Sequence, residues 1–248
     1  MAANPISDII DQLTSIVAAA EAAGSRTGYF AALYRRVTIT VLAGIDSFQD
    51  PARMTRLDVT FATRYLNAFT AYQQGQPLSS AWQTTFQAAQ SSDPVILQHL
   101  LLGMNAHINL DLGIAAARTS PGQELPALHD DFMRINAVLA SLIETVMGEL
   151  GQVSPLLGLI GEVLGRDGQS IANFGIDTAR DWAWAFAETL APLGPAEQQA
   201  KIATTDKLVA GFAQALRHPE PVLAALYEVI RSRETDSVAR VIAVLAAG

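Results

Sequence analysis

Residues 94 to 118 read PVILQHLLLGMNAHINLDLGIAAAR, and the reading of this stretch decides the fold. Apolar residues occur on almost every side of it, the pattern of a helix enclosed in a bundle rather than laid on a surface. At about 100° per residue, His107 and Asp111 share one face with Gly103, Met104, Ile114 and, at the far end, Arg118. Gln98, Asn105 and Asn109 line the opposite face. An enclosed amide or carboxylate left without a partner costs roughly 1 to 3 kcal/mol. Both polar stripes must therefore be satisfied inside the protein, and the helix becomes the first place to look for a site.

Outward from this helix, the punctuation falls at helical lengths throughout. Asn4-Pro5 pairs an N-cap with a proline at the first helical position, and Ile6, Ile9, Ile10, Leu13, Ile16 and Val17 follow at helical spacing to Gly24. Residues 28 to 47 contain VTITV, which alternates like a strand, but their length and the lack of any partner strand favour a helix. Asp50-Pro51 opens the next helix, where Asp58 shares a face with Met54, Phe61, Tyr65, Phe69 and Tyr72 while Arg53, Arg56 and Arg64 point elsewhere. Ser79 or Ser80 caps a short helix to Gln90, and Asp93-Pro94 opens the central one.

After the loop TSPGQEL at 119 to 125, a helix runs from about Pro126 to Leu150 with Asp131 at the edge of its apolar face and His129 and Asn136 on an adjoining one. A short helix from Ser154-Pro155 to Leu164, a turn at 165 to 168, and a helix over 170 to 191 follow. Three more segments begin at Gly194-Pro195, His218-Pro219 and Thr235. With no βαβ pattern and no fixed repeat, the expectation is one all-α domain over residues 1 to 248, a bundle of about eight to ten helices around the central one.

Half of the 248 residues are hydrophobic, enough for a sizeable core. The net charge is −8 and the only lysines are Lys201 and Lys207, so no basic stripe exists to follow a phosphate backbone and nucleic-acid binding is not expected. The absence of cysteine excludes disulfides, thiolate catalysis and cysteine metal sites. MAANPISDIIDQL lacks the basic start of a signal peptide, and the polar residues of the central stretch argue against a membrane span. The expectation is a cytoplasmic protein; the sequence leaves its oligomeric state open.

A helical His-x-x-x-Asp pair sets two acid/base groups or two metal ligands on one face. The plain alternative is that Asp111 only satisfies a core histidine. Against it stand Asp58 on an aromatic face, Asp131 beside an apolar one, and His129 at the start of the following helix. Asn105 and Asn109 are expected to tie the central helix to neighbouring backbone. Arg35, Arg36 and Arg180 are candidates either to pair with buried acids or to bind an anionic substrate, with pairing preferred. Trp182 and Trp184 cannot share a face, and Trp184 is assigned to the core. Phosphate-loop, dinucleotide, nucleophile-elbow and acidic isoprenoid-cyclase motifs are absent.

The segments YRRVT (34 to 38), Arg56-Leu-Asp58 to Arg64-Tyr65-Leu, HLLLGMNAHINLDLG (99 to 113), HDDFMRIN (129 to 136) and Ala179-Arg180 to Ala183-Trp184 resemble a bacterial domain-of-unknown-function family, number 5995. The resemblance covers most of the chain and implies a shared helical domain; it brings no activity with it. The His-x-x-x-Asp pair is also similar, more distantly, to the zinc-dependent phospholipase C and P1-type nuclease class, from which this chain departs in having only four histidines and no N-terminal tryptophan ligand.

Three functions follow as expectations. The first is an enzyme acting without a cofactor on a small, largely apolar molecule, with His107 as general acid/base, Asp111 fixing its tautomer, Asp58, Tyr65 or Asp131 as further proton-transfer groups, and Arg35, Asn109, His129 and Arg180 binding substrate. The second is a metal-dependent hydrolase with zinc or another divalent ion on His107, Asp111 and Asp131. The third is a non-catalytic helical binding or scaffold protein.

Overall fold

The computed structural model describes residues 4–160 and 168–247, and among these it contains helices and no strand. In order they are α1 (Pro5–Ala23), α2 (Thr27–Ala43), α3 (Pro51–Gln73), α4 (Ser80–Ala89), α5 (Ile96–Thr119), α6 (Leu125–Leu150), α7 (Gly168–Leu190), α8 (Pro195–Arg217), α9 (Pro221–Arg231) and α10 (Val238–Ala246). The all-α multi-helix bundle expected from the punctuation is what the chain forms. Residues 154 to 158, expected to start a short helix, form turns instead, closed by Leu157 N–H to the Ser154 carbonyl at 3.1 Å. Residues 159 and 160 are helical, and the remainder of that expectation and most of the turn at 165 to 168 lie outside the described residues.

Local chemistry starts the helices where it was read. Asn4 Oδ1 accepts from Ile6 N–H at 3.0 Å, Asp50 Oδ1 from Arg53 N–H at 2.9 Å, and Ser79 Oγ from Trp82 N–H at 3.3 Å. The VTITV segment is helical, and its hydroxyls are satisfied within the helix: Thr38 and Thr40 donate to the carbonyls of Tyr34 and Arg36 one turn back.

Helix α5 is enclosed by α2, α3, α4, α6, α7 and α8. By length and composition alone it would suffice to cross a membrane, polar residues notwithstanding, but most of it is packed inside the bundle. Two glycines permit this enclosure. A methyl group on Gly103 would collide with the Phe30 ring of α2, and one on Gly113 would lie 2.7 Å from the Ala183 carbonyl oxygen of α7. Its N-terminus is capped from a distance. Val95 N–H donates to Gln98 Oε1 at 2.9 Å, and Ile96 N–H to the Glu234 carboxylate at 3.1 Å, so Asp93-Pro94 precedes the helix instead of opening it.

Candidate active site

The middle of α5 departs from α-helical winding. Residues His107–Leu112 form a π-helical stretch, the looser i→i+5 turn that occurs mostly as short bulges and often at functional sites. This stretch holds both members of the His-x-x-x-Asp pair. His107 Nδ1 lies 3.3 Å from Asp111 Oδ2. Asp111 is gripped from two other helices, accepting from Arg64 Nε of α3 on Oδ1 at 2.6 Å and from Trp82 Nε1 of α4 on Oδ2 at 2.9 Å.

These contacts set the protonation states. Burial would raise the Asp111 carboxyl, but the His107 hydrogen bond, the Arg64 charge and the Trp82 N–H outweigh it and hold it below the usual carboxylate value. Burial pushes the His107 imidazole below its usual value, against the pull of Asp111. The imidazole is therefore neutral at pH 7, and an ionised Asp111 assigns its proton to Nδ1 and leaves a lone pair on Nε2.

His107 lies on the wall of a cavity of about 400 Å³ between α2, α3, α5, α6 and α7. The wall is aliphatic and aromatic over most of its area. Its polar contributors among the described residues are Tyr34, Asp58, Asn105, His107, Asn109 and Arg180. Three of them carry an enclosed polar atom with no hydrogen-bond partner: Tyr34 Oη, Asp58 Oδ2 and His107 Nε2. Desolvation raises the Asp58 carboxyl to about 7. Burial first, then the neighbouring Asp58 charge, raises the Tyr34 phenol well above its usual value.

The structure thus brings Asp58 and His107 to one cavity and sets Asp111 directly behind His107. Tyr65 stands beside them in the aromatic cluster, edge-on to Phe30 at 5.3 Å and to Tyr34 at 5.8 Å, with an unpaired hydroxyl of its own, but off the cavity wall. Asn109 reaches the wall and donates to Asn105 Oδ1 at 2.9 Å, while Asn105 donates to the Val209 carbonyl at 3.0 Å. Asn105 therefore ties α5 to the backbone of α8, whereas Asn109 bonds only to Asn105 of its own helix.

Other candidates sit elsewhere. Asp131 accepts from the backbone N–H groups of Gln49 at 2.7 Å and Asp50 at 3.0 Å, which makes it a clamp on the entry to α3. The His129 side chain is about half exposed, beside Asp130 and edge-on to Trp184. Arg35 donates to Thr14 Oγ1 at 2.7 Å, outside the cavity, and Arg36 pairs with Glu149 at 2.5 Å. His107, Asp111 and Asp131 therefore do not form one ligand set. Among the described residues no group of three His, Asp or Glu side chains is placed to hold a metal ion.

Sequence reasoning missed Arg64, Trp82 and Tyr34. Arg64 was assigned to another face of α3, but its long side chain carries the guanidinium to Asp111. Trp82 gave a usable signal, since an enclosed indole N–H seeks an acceptor.

No curated protein and no solved structure is significantly similar to the chain. Residues 6–219 match the family of unknown function DUF5995, and the chain belongs to that family.

Proposed function

We propose that this protein is an enzyme that transfers protons on a small, largely apolar molecule held in the cavity beside α5. The observation that carries this reading is that three residues lining one apolar cavity, His107, Asp58 and Tyr34, each hold a buried proton-exchanging atom without a hydrogen-bond partner, Nε2, Oδ2 and Oη. Buried polar atoms are ordinarily paired, and three orphans in one place are costly unless a bound molecule completes them. Burial drives the two titrating groups toward opposite roles near neutrality. The imidazole is left neutral and basic at pH 7, where the Asp58 carboxyl, raised to about 7, is still about half protonated. His107 Nε2 accepts the proton the bound molecule gives up, the Asp58 acid supplies one at another atom, and return of the proton from His107 to Asp58 resets the pair. Asp111, held by Arg64 and Trp82, keeps Nδ1 protonated throughout.

Proton exchange provides the test. The protein is incubated in D2O with a solvent extract of apolar small molecules, and deuterium uptake is followed by mass spectrometry. The wild type is expected to label at least one compound, with the rate reduced about 10²- to 10⁴-fold in His107→Ala and Asp58→Asn. Compounds that bind but never exchange or react would overturn the reading. They would favour a second one, a non-catalytic carrier, which the predominantly aliphatic wall supports.

A further inference from the structure

Among the described residues, the cavity wall carries one cation that no anion faces. Arg180 of α7 is only 3 % exposed and lines the cavity. Its Nε donates to Asn136 Oδ1, one terminal nitrogen donates to the Phe132 carbonyl, and the guanidinium lies over the Phe132 ring, 4.5 Å from the centroid. Both oxygens belong to neutral groups. The nearest acids along its helix, Asp177 and Asp181, are exposed, and no carboxylate among the described residues forms an ion pair with it. Arg36, the other arginine buried to this degree among the described residues, pairs with Glu149; of the half-buried ones, Arg53 pairs with Asp131 and Arg64 with Asp111, while Arg35 donates to the Thr14 hydroxyl.

The cost of this arrangement is visible in Arg180 itself. Burial pushes its guanidinium down to about 10, although Asp177 and Asp181 pull it the other way. A buried charge without a partner costs several kcal/mol. About one pH unit below neutrality the remaining ionisable wall groups among the described residues offer no counter-charge, since Tyr34 is neutral, burial holds His107 below its usual value and Asp58, raised to about 7, is largely protonated. Of five guanidinium N–H groups, the described residues engage two, leaving donors for the pair of oxygens of a carboxylate. The rest of the wall, with Leu139, Leu142, Ile143 and Val146 of α6, suits a hydrocarbon body.

We propose that the molecule bound in this cavity is an apolar carboxylic acid, its carboxylate seated on Arg180 and its hydrocarbon body along the aliphatic wall. This rests on the reading that the cavity holds a small apolar molecule, and it adds the charge of that molecule and the residue that selects it.

The test is calorimetric titration of the full chain with decanoate, 1-decanol and decyltrimethylammonium. Decanoate is expected to bind at least tenfold more tightly than 1-decanol, and the cation more weakly than either. Arg180→Gln should bring decanoate to the level of 1-decanol without changing the alcohol's affinity. Equal binding of the acid and the alcohol by the wild type overturns the inference and leaves the apolar cavity standing. So does an Arg180→Gln variant that keeps the preference. If neither ligand binds, the cavity reading fails along with it; if decanoate binds tightly but proton exchange is never seen, only the catalytic reading fails. Should Arg180→Gln not fold, the comparison of the three ligands on the wild type decides alone.

Discussion

The phenyl ring of Phe61 lies flat on the imidazole of His107, with centroids 3.6 Å apart and planes within 8° of parallel. Tyr34 meets the same imidazole edge-on at 4.5 Å. With Asp111 holding Nδ1, the ring is fixed both in its plane and across it, and rotation would have to displace an aromatic neighbour. This restraint pre-organises His107.

Nitrogen NMR of the histidine-labelled protein checks that state directly. At pH 7 His107 is expected to show one protonated and one bare ring nitrogen, with titration displaced below its ordinary range. Phe61→Leu keeps the apolar volume but removes the stack, and should broaden or mix the tautomer signals. An imidazolium signal at pH 7 in the wild type would contradict the assignment.

Asp58 makes stability depend on pH in a direction opposite to an ordinary paired carboxylate. Desolvation raises it in the folded protein from 3.8 to about 7, so between these values the folded state binds more protons than the unfolded one. Its contribution to stability is complete below about pH 4 and is lost as pH rises through about 7. The loss amounts to about 4 kcal/mol at most. Asp58→Asn cannot ionise and should gain on the wild type by a few kcal/mol between pH 5 and pH 8. Denaturant titrations at the two pH values measure it, and a constant difference would show that Asp58 is not desolvated.

Trp82→Phe tests the support behind the dyad while keeping an aromatic ring at the position. Loss of the 2.9 Å bond to Asp111 removes a donor to a buried carboxylate and should destabilise by roughly 1.5 to 3 kcal/mol. Because Asp111 is held below its ordinary value, the stability it contributes is present above about pH 3.8 and is lost as pH falls. Removing the donor should therefore move the acid-unfolding midpoint to higher pH. An unchanged midpoint would mean that Arg64 and His107 alone hold the charge.

Asp131→Asn separates a structural carboxylate from the site. The substitution leaves one of the two backbone N–H groups at Gln49 and Asp50 without its acceptor, so a loss of about 1 to 3 kcal/mol is expected. Proton exchange on cavity ligands should persist in the folded fraction. Loss of exchange with stability intact would return Asp131 to the catalytic set.

Several features of the site were legible because they are local. The helical spacing of His107 and Asp111 put them on one face, and the aromatic neighbours of Asp58 on α3 marked it as an acid in apolar surroundings. Among the described residues, the partners of Arg180 are a neutral amide and a carbonyl and not the acid that the sequence leads one to prefer. The donors to Asp111 were hidden for another reason. Arg64 and Trp82 lie 47 and 29 residues away in sequence, and no local pattern says which of several arginines and tryptophans will reach a given acid.

By itself the sequence determined what depends on neighbours within a few turns: the all-α class, the caps at Asn4 and Asp50 and one at Ser79 or Ser80, the enclosed character of the central stretch, and the polar residues that would need partners there. Tertiary structure alone decided which partners they received. Asp131, Asp206 and Glu234 all act as remote caps, on the entry to α3, on Ser80 and Ala81 of α4, and on Ile96 of α5, roles that no run of sequence around them discloses. The physical reason is the reach of the forces. Backbone propensity and capping act over about one turn, whereas desolvation and charge pairing depend on which helices happen to enclose a group. Those same enclosures leave His107 Nε2, Asp58 Oδ2 and Tyr34 Oη unpaired around one cavity, with Arg180 on its wall.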